Sequence, residues 1–135
     1  MPALKVCLDT NILIYALGEG TKADVAQALL QEPFLVSVQA LNECINVCRR
    51  KLGLDWPDIR LAVEQFETLA QRILPIEPVD TSEAMQLAMD HRISFYDALM
   101  LAVALRSGCE SFYSEDLQHG WQLAGGMRVI DPFRL

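Results

Sequence analysis

Basic charge, paired cysteines and long apolar runs are all scarce in this sequence, and each shortage excludes something. Lys and Arg total 11 against 18 Asp and Glu, a formal net charge of −7. A module that held nucleic acid mainly by blanketing its phosphates needs the opposite sign. The longest uninterrupted apolar run, Ala98–Leu105, has eight residues, against the roughly 20 that cross a bilayer, so no membrane partner is expected. Met1 to Lys5 leads through Val6, Cys7 and Leu8 straight to Asp9, with no charged start feeding an extended apolar stretch. Export by a signal peptide is therefore not expected, and the cytoplasm is the expected location. Cys7, Cys44, Cys48 and Cys109 form no C-x-x-C pair and read as buried, reduced thiols rather than as a zinc site.

Several catalytic signatures are missing too. There is no G-x-x-x-x-G-K-[ST], no G-x-G-x-x-G and no G-x-S-x-G, so phosphate-cradling loops and a hydrolase elbow have no support. Asp9 follows the first apolar strand as a single acid, without the D-x-D-x-T phosphoaspartate pattern or an accompanying acidic pair. What is present suits a folded chain: 135 residues, 52% apolar and 21% charged, enough to bury a core as one domain spanning 1–135.

The order of elements follows from periodicity and breakers. Strands are expected at Lys5–Asp9, Phe34–Val36, Ser111–Tyr113 and Met127–Ile130, with at most a short one at Leu74–Pro75–Ile76. Helices are expected over Ile12–Leu17 and Lys22–Gln31, from Ser37 to about Leu52, and from Asp55 through Ile73 to a stop at Pro75. Asp80 with Glu83 forms a capping-box pattern for a helix reaching His91, and Ser94 with Asp97 repeats it for Phe95–Arg106. That last helix is apolar on nearly all sides after Asp97 and should be largely buried. Strands alternating with helices predict a three-layer α/β/α sandwich around a central, mostly parallel sheet of about five short strands. Ligands collect outside the carboxyl ends of such strands, where Asp9 and Asp116 fall.

Each candidate acid has a plain structural role beside a chemical one. Asp9 can be the N-cap of the helix that follows it. Asp97 can exchange backbone hydrogen bonds with Ser94, yet it is the only charged residue between Ser94 and Arg106, and burying a carboxylate costs several kcal/mol unless it is compensated. Asp116 can be a turn residue beside Ser114 and Glu115. Glu43 lies nearly opposite the Leu41, Ile45, Cys48 and Leu52 stripe, which suits a solvated face, but its helix starts at the sheet edge where Asp9 ends. Four carboxylates gathered at one edge repel, and cations hold such a cluster ionised. Mg²⁺ or Mn²⁺ fits an all-oxygen set and activates water for phosphodiester hydrolysis. His91 and His119 read as surface or capping residues, and the basic run Arg49-Arg50-Lys51 reads either as a solvated helix end or as a contact for RNA phosphates.

Asp9-Thr10-Asn11 after the opening strand, Glu43 early in the third helix, Asp97 at the start of a buried helix and Ser114-Glu115-Asp116 after the next strand together resemble a PIN domain. The likeness runs from Lys5 to Ile130, and the length is similar to that of VapC-type ribonuclease toxins of bacterial toxin-antitoxin pairs. The resemblance implies that Asp9, Glu43, Asp97 and Asp116 form an acidic catalytic site with Asp9, Asp97 and Asp116 as metal ligands. Thr10, Asn11 and Ser114 would support it through hydrogen bonds. The adjacent acids of the S-E-D motif leave Glu115 as a possible replacement for Asp116. It further implies Mg²⁺- or Mn²⁺-dependent hydrolysis of RNA, a small antitoxin partner and a homodimer. The competing readings are a non-catalytic PIN-like module whose acids bind a basic partner segment, and a phosphohydrolase or DNA nuclease using the same acids.

Overall fold

The computed structural model describes residues 5–134. Of the Met1–Lys5 stretch weighed above for export, all but Lys5 lies outside the described residues. The chain runs β1 (Val6–Leu8), α1 (Thr10–Ala16), α2 (Thr21–Leu29), β2 (Leu35–Ser37), α3 (Val38–Arg50) and α4 (Trp56–Leu69). It continues as β3 (Arg72–Leu74), α5 (Pro78–His91), α6 (Phe95–Arg106), β4 (Ser111–Tyr113) and β5 (Arg128–Ile130), with a closing 3-10 turn at Pro132–Arg134. The five strands lie in the order β3-β2-β1-β4-β5, every pairing is parallel, and the six helices flank the sheet as the expected sandwich.

Each strand is only three residues long, so the hydrophobic content of the sheet is concentrated in a few positions. Cys7 and Leu8 on β1, Val36 on β2, Phe112 on β4 and Val129 on β5 are all but sealed from solvent. The central strand β1 is wholly apolar, as a strand covered on both faces requires, while each of the other four carries one polar residue at an end: Ser37, Arg72, Ser111 and Arg128. Helix α6 is buried without a break from Ala98 to Ala104, as its lack of polar positions predicts. All four cysteines are free and buried. Among the described residues no helix is long and apolar enough to cross a membrane.

Two stretches of the chain depart from expectation. Periodicity carries the fourth helix to Ile73, whereas α4 ends at Leu69 and Ile73 lies in β3, opposite Val36 of β2. Ala70 takes an extended ψ of 139°, and the Gln71 N–H then donates to the Phe34 carbonyl at 2.9 Å, so pairing with β2 overrides the helical period. The strand stops before Pro75, which has no N–H to give to a ladder, and not across Leu74–Pro75–Ile76 as expected. The second stretch is α5. Its N-cap is Glu77, not Asp80, with Pro78 preset at the first helical position and Asp80 at the third. The capping box is therefore Glu77 with Asp80 rather than Asp80 with Glu83: Asp80 Oδ2 accepts from the Glu77 N–H at 2.7 Å.

The displaced cap puts Asp80 to a different use. Its carboxylate, 1% exposed, takes a two-pronged contact from Arg106 at the end of α6, Nε to Oδ1 at 2.8 Å and Nη2 to Oδ2 at 3.0 Å. The same Nη2 donates to the Pro75 carbonyl at 2.8 Å. Burial alone would push the Asp80 carboxyl up, but the Arg106 hydrogen bonds, the Glu77 N–H and the Arg106 charge together hold it below its ordinary value. Helix α6 is thereby pinned at its far end, with Asp97 at its near end.

Candidate active site

The parallel arrangement brings the carboxyl ends of β1 and β4, adjacent in the sheet, to one edge. Asp9 follows β1 immediately and is 2% exposed. Its backbone N–H donates to the Tyr113 carbonyl at 2.9 Å, extending the pairing with β4 by one residue. It is the N-cap of α1, as its structural reading requires, and its Oδ1 accepts from the Thr10 N–H at 2.6 Å. Its Oδ2 accepts from the Ser114 hydroxyl at 2.6 Å. Ser114 is fully buried, and its Oγ also accepts from the N–H groups of Asp116 and Leu117 at 3.1 and 3.3 Å. One hydroxyl thus shapes the turn after β4 and ties it to Asp9.

The other acids arrive from three further elements. Ser37 at the end of β2 caps α3 by accepting from the Ala40 N–H at 3.1 Å, which starts the helix at the sheet edge. Glu43 is then half-buried rather than on a solvated face, and its Oε2 accepts from the Thr10 hydroxyl at 2.8 Å. Ser94 caps α6 by accepting from the Asp97 N–H at 3.1 Å, which fixes Asp97 in the first turn. Asp116 is exposed, and its Oδ2 accepts from the Asn11 amide at 3.0 Å.

Asp9, Thr10, Asn11, Glu43, Asp97, Glu115 and Asp116 all line one open cavity of about 570 Å³, with Ser114 beneath it. Ile14, Tyr15, Asn46, Val47, Lys51 and Leu52 complete the wall. A larger cavity of about 850 Å³ opens at the amino ends of β4 and β5, but its acids, Glu83, Asp90 and Glu110, are all exposed. The buried, hydrogen-bonded Asp9 carboxylate belongs to the smaller cavity. Neither histidine joins it: His91 packs its ring 4.8 Å from Trp121, and His119 accepts from the Asp131 N–H at 3.0 Å.

Electrostatics follow from the crowding. Burial pushes the Asp9 carboxyl up to about 7, with the Asp97 and Asp116 charges adding to it and the bonds from Ser114 and Thr10 pulling against it. Burial and then the Asp116 charge push Asp97 up as well, against the Ser94 hydroxyl. Among the described residues no three acidic, histidine or cysteine side chains stand as a ready-made ligand set. Glu43 and Asp116 are engaged by Thr10 and Asn11 instead, and mutual repulsion opposes closer approach.

The model of the PIN domain family matches residues 6–119. This chain belongs to the PIN domain family. Solved structures similar in fold to this PIN domain include VapC20 from Mycobacterium tuberculosis, described as a sarcin-ricin loop cleaving toxin. It is 20% identical with a TM-score of 0.66, over 82% of this chain and 89% of that one. The DNA-bound VapBC complex from Salmonella typhimurium is 19% identical with a TM-score of 0.70, over 96% and 99%. A toxin-antitoxin complex from Klebsiella pneumoniae is 22% identical with a TM-score of 0.67, over 94% and 97%. A search of curated proteins finds no significant match.

Sequence reasoning missed Tyr15 and Asn46. Tyr15 carried a usable signal, standing four residues after Asn11 and so on the same face of α1. The basic run divides on inspection: Arg49 donates to the Leu54 carbonyl at 3.1 Å and lies 5.4 Å from the Trp56 ring centre, while Lys51 reaches the cavity wall.

The high Asp9 value has a measurable consequence for this PIN domain in chelator. Between about pH 4 and 7 the unfolded chain loses this proton and the folded protein keeps it, so unfolding free energy must fall as pH rises through that window. The full effect is on the order of 4 kcal/mol, and Asp97 acts in the same direction. Urea titrations at pH 4.5 and 7.5 should show the decline in the unaltered protein and much less of it in Asp9→Asn. Equal slopes in the two proteins would refute the assignment.

Proposed function

We propose that this PIN domain is a Mg²⁺- or Mn²⁺-dependent endoribonuclease, the toxin of a type II toxin-antitoxin pair. On this reading it is a single nuclease domain acting in the cytoplasm as a homodimer and blocked by a small antitoxin. The observation that carries the reading is the convergence of Asp9, Glu43, Asp97 and Asp116 on one cavity at the carboxyl edge of the sheet. The described activity of VapC20 and the toxin-antitoxin complexes of similar fold support the same direction.

The donor chemistry fits a hard divalent ion. Carboxylate and amide oxygens make up the set, and Asn11 Oδ1 is a buried oxygen with no hydrogen-bond partner among the described residues, beside the amide that holds Asp116. Asp9 and Asp97 would hold the ion most firmly, Asp116 would hold it directly or through water, and Glu43 would orient water or complete a second site. When bound, such an ion lowers the pKa of water and offsets the charge of the phosphodiester. Asp9 itself is kept in place from both oxygens, so its position is set before any ligand arrives. Thr10 does the same for Glu43 from the first turn of α1. Lys51 on the cavity wall supplies a cation for an RNA phosphate in a chain whose net charge of −7 otherwise repels it.

Incubating total RNA with the protein and Mg²⁺ or Mn²⁺, then mapping the new ends, tests this reading. Discrete cuts that vanish in excess chelator are expected. Cleavage that persists in chelator, or no cleavage with either ion, overturns it. DNA cut as readily as RNA would point to the DNA nuclease reading, and metal-independent capture of a basic peptide without cleavage to the interaction module.

A further inference from the structure

Glu115 sits one residue before Asp116 on the same cavity wall, and the sequence leaves the two interchangeable. The geometry separates them. The Tyr15 hydroxyl donates to Glu115 Oε1 at 2.5 Å, and the Lys22 ammonium donates to Oε2, so both carboxylate oxygens are engaged by groups outside the acidic cluster. Lys22 in turn donates to the Tyr15 hydroxyl at 3.4 Å and lies 5.0 Å from the Tyr15 ring centre and 5.6 Å from that of Phe133. The Tyr15 and Phe133 rings meet edge to face at 5.0 Å. Four separate segments are therefore joined at Glu115: α1, the first turn of α2, the turn after β4 and the 3-10 turn near the C-terminus.

The same turn carries Asp116, whose only side-chain bond among the described residues comes from Asn11. Asn11 and Tyr15 lie one helical turn apart on α1, so the helix grips the turn after β4 at two successive side chains: Tyr15 at Glu115 and Asn11 at Asp116. An exposed carboxylate on a short turn has rotational freedom to lose on taking a cation, and fixing its chain neighbour removes part of that cost beforehand.

We propose that Glu115 is not a cation ligand but a positioning residue, clasped by Tyr15 and Lys22 so that the turn after β4 presents Asp116 to the cavity. This rests on the reading of the cavity as a divalent-cation site. The arrangement assigns the two acids of the S-E-D motif opposite duties, one facing the cation and the other anchoring the backbone. Lys22, half exposed and already bonded to Glu115, belongs to the clasp and is not a free cation for a phosphate.

Binding of Mn²⁺ to the metal-free protein, followed by electron paramagnetic resonance, separates the possibilities together with melting temperature. Asp116→Asn is expected to weaken Mn²⁺ about tenfold or more, and Lys22→Met or Tyr15→Phe by about three- to tenfold, below the roughly 10- to 100-fold usual for a partner bonded directly to a ligand because the clasp acts one residue away. Melting temperatures of the clasp variants should move little, because an exposed ion pair contributes little to folding. Lys22→Arg should restore Mn²⁺ affinity to within about twofold, which a general loss of packing would not allow. Glu115→Gln should behave like the clasp variants. If it instead loses Mn²⁺ as severely as Asp116→Asn while Lys22→Met and Tyr15→Phe bind normally, Glu115 is a ligand and the proposal is wrong. If all the clasp variants bind Mn²⁺ like the unaltered protein, the clasp positions nothing and the proposal is equally wrong. No Mn²⁺ binding by the unaltered protein would instead remove the cation reading itself, and the clasp proposal with it.

Discussion

Asp97→Asn is expected to lower RNA cleavage about a hundredfold or more while leaving the metal-free protein at least as stable as before. The two effects have opposite signs for one reason. Asp97 is a half-buried carboxylate pushed toward neutrality by burial and by the charge of Asp116, so its ionised form works against the fold. Asparagine has nearly the same shape and removes the charge. The Asp97 N–H still donates to Ser94, and the buried stretch from Ala98 to Ala104 is untouched. A cation site, by contrast, loses an anionic ligand at the position where α6 meets the cavity. Cleavage rates with Mg²⁺ and urea unfolding in chelator, measured on the same preparation, check both halves. Undiminished cleavage would remove Asp97 from the chemistry, and a drop in activity that merely follows a drop in stability would make it a structural residue.

Arg106→Ala should cost about 3 kcal/mol or more of unfolding free energy, because it strands the buried Asp80 carboxylate without its cation. The lower end of the usual range for breaking a buried pair applies, since Arg106 is itself 32% exposed while Asp80 is 1% exposed. For a domain of this size that is a fall in melting temperature of about 10 °C. Replacing both partners, as in Asp80→Leu with Arg106→Leu, should cost less than Arg106→Ala alone, since no charge is then left buried. The pair also has its own pH signature. Asp80 is held below its ordinary value, so its contribution is complete above about pH 4 and is lost as pH falls through its folded value. Asp9 acts above that window and in the opposite sense. Urea unfolding of the single and double variants at pH 7 decides the matter: a loss under 1 kcal/mol for Arg106→Ala would show that solvent already screens the pair.

What could be read from the sequence was local. Ser94 stands three residues before Asp97 and accepts from its N–H within one turn, so the start of α6 is legible without any knowledge of the fold. Asp9 was visible as a cap for the same reason. Ile73 reads as helical because its spacing continues the apolar face of α4, while the bonds that make it a strand come from Phe34 and β2, far back in the chain. Asp80 with Glu83 mimics a cap in sequence, whereas Pro78 starts the helix earlier and the Asp80 partner, Arg106, is 26 residues away. Glu43 could be placed at the cavity only through the sheet, its helical face alone suggesting solvent. The bonds to Glu115 cross 93 and 100 residues, a separation at which no spacing rule operates.

The central place of β1 also sets a timetable. It is synthesised before the other four strands of the sheet, yet Ser114, the residue whose hydroxyl holds Asp9, comes 105 positions later. At ~5–20 residues/s of translation that interval is roughly 5–20 s. Throughout it the nascent chain carries Asp9 with neither Ser114 nor Asp116 beside it. The cavity therefore cannot exist on a ribosome until β4 and the turn after it have been made, and a truncated product ending before β4 would carry Asp9, Glu43 and Asp97 without the strand that aligns them. Whatever chemistry this edge of the sheet performs, it performs only once that turn is in place, so any partner made alongside it has those seconds to be waiting.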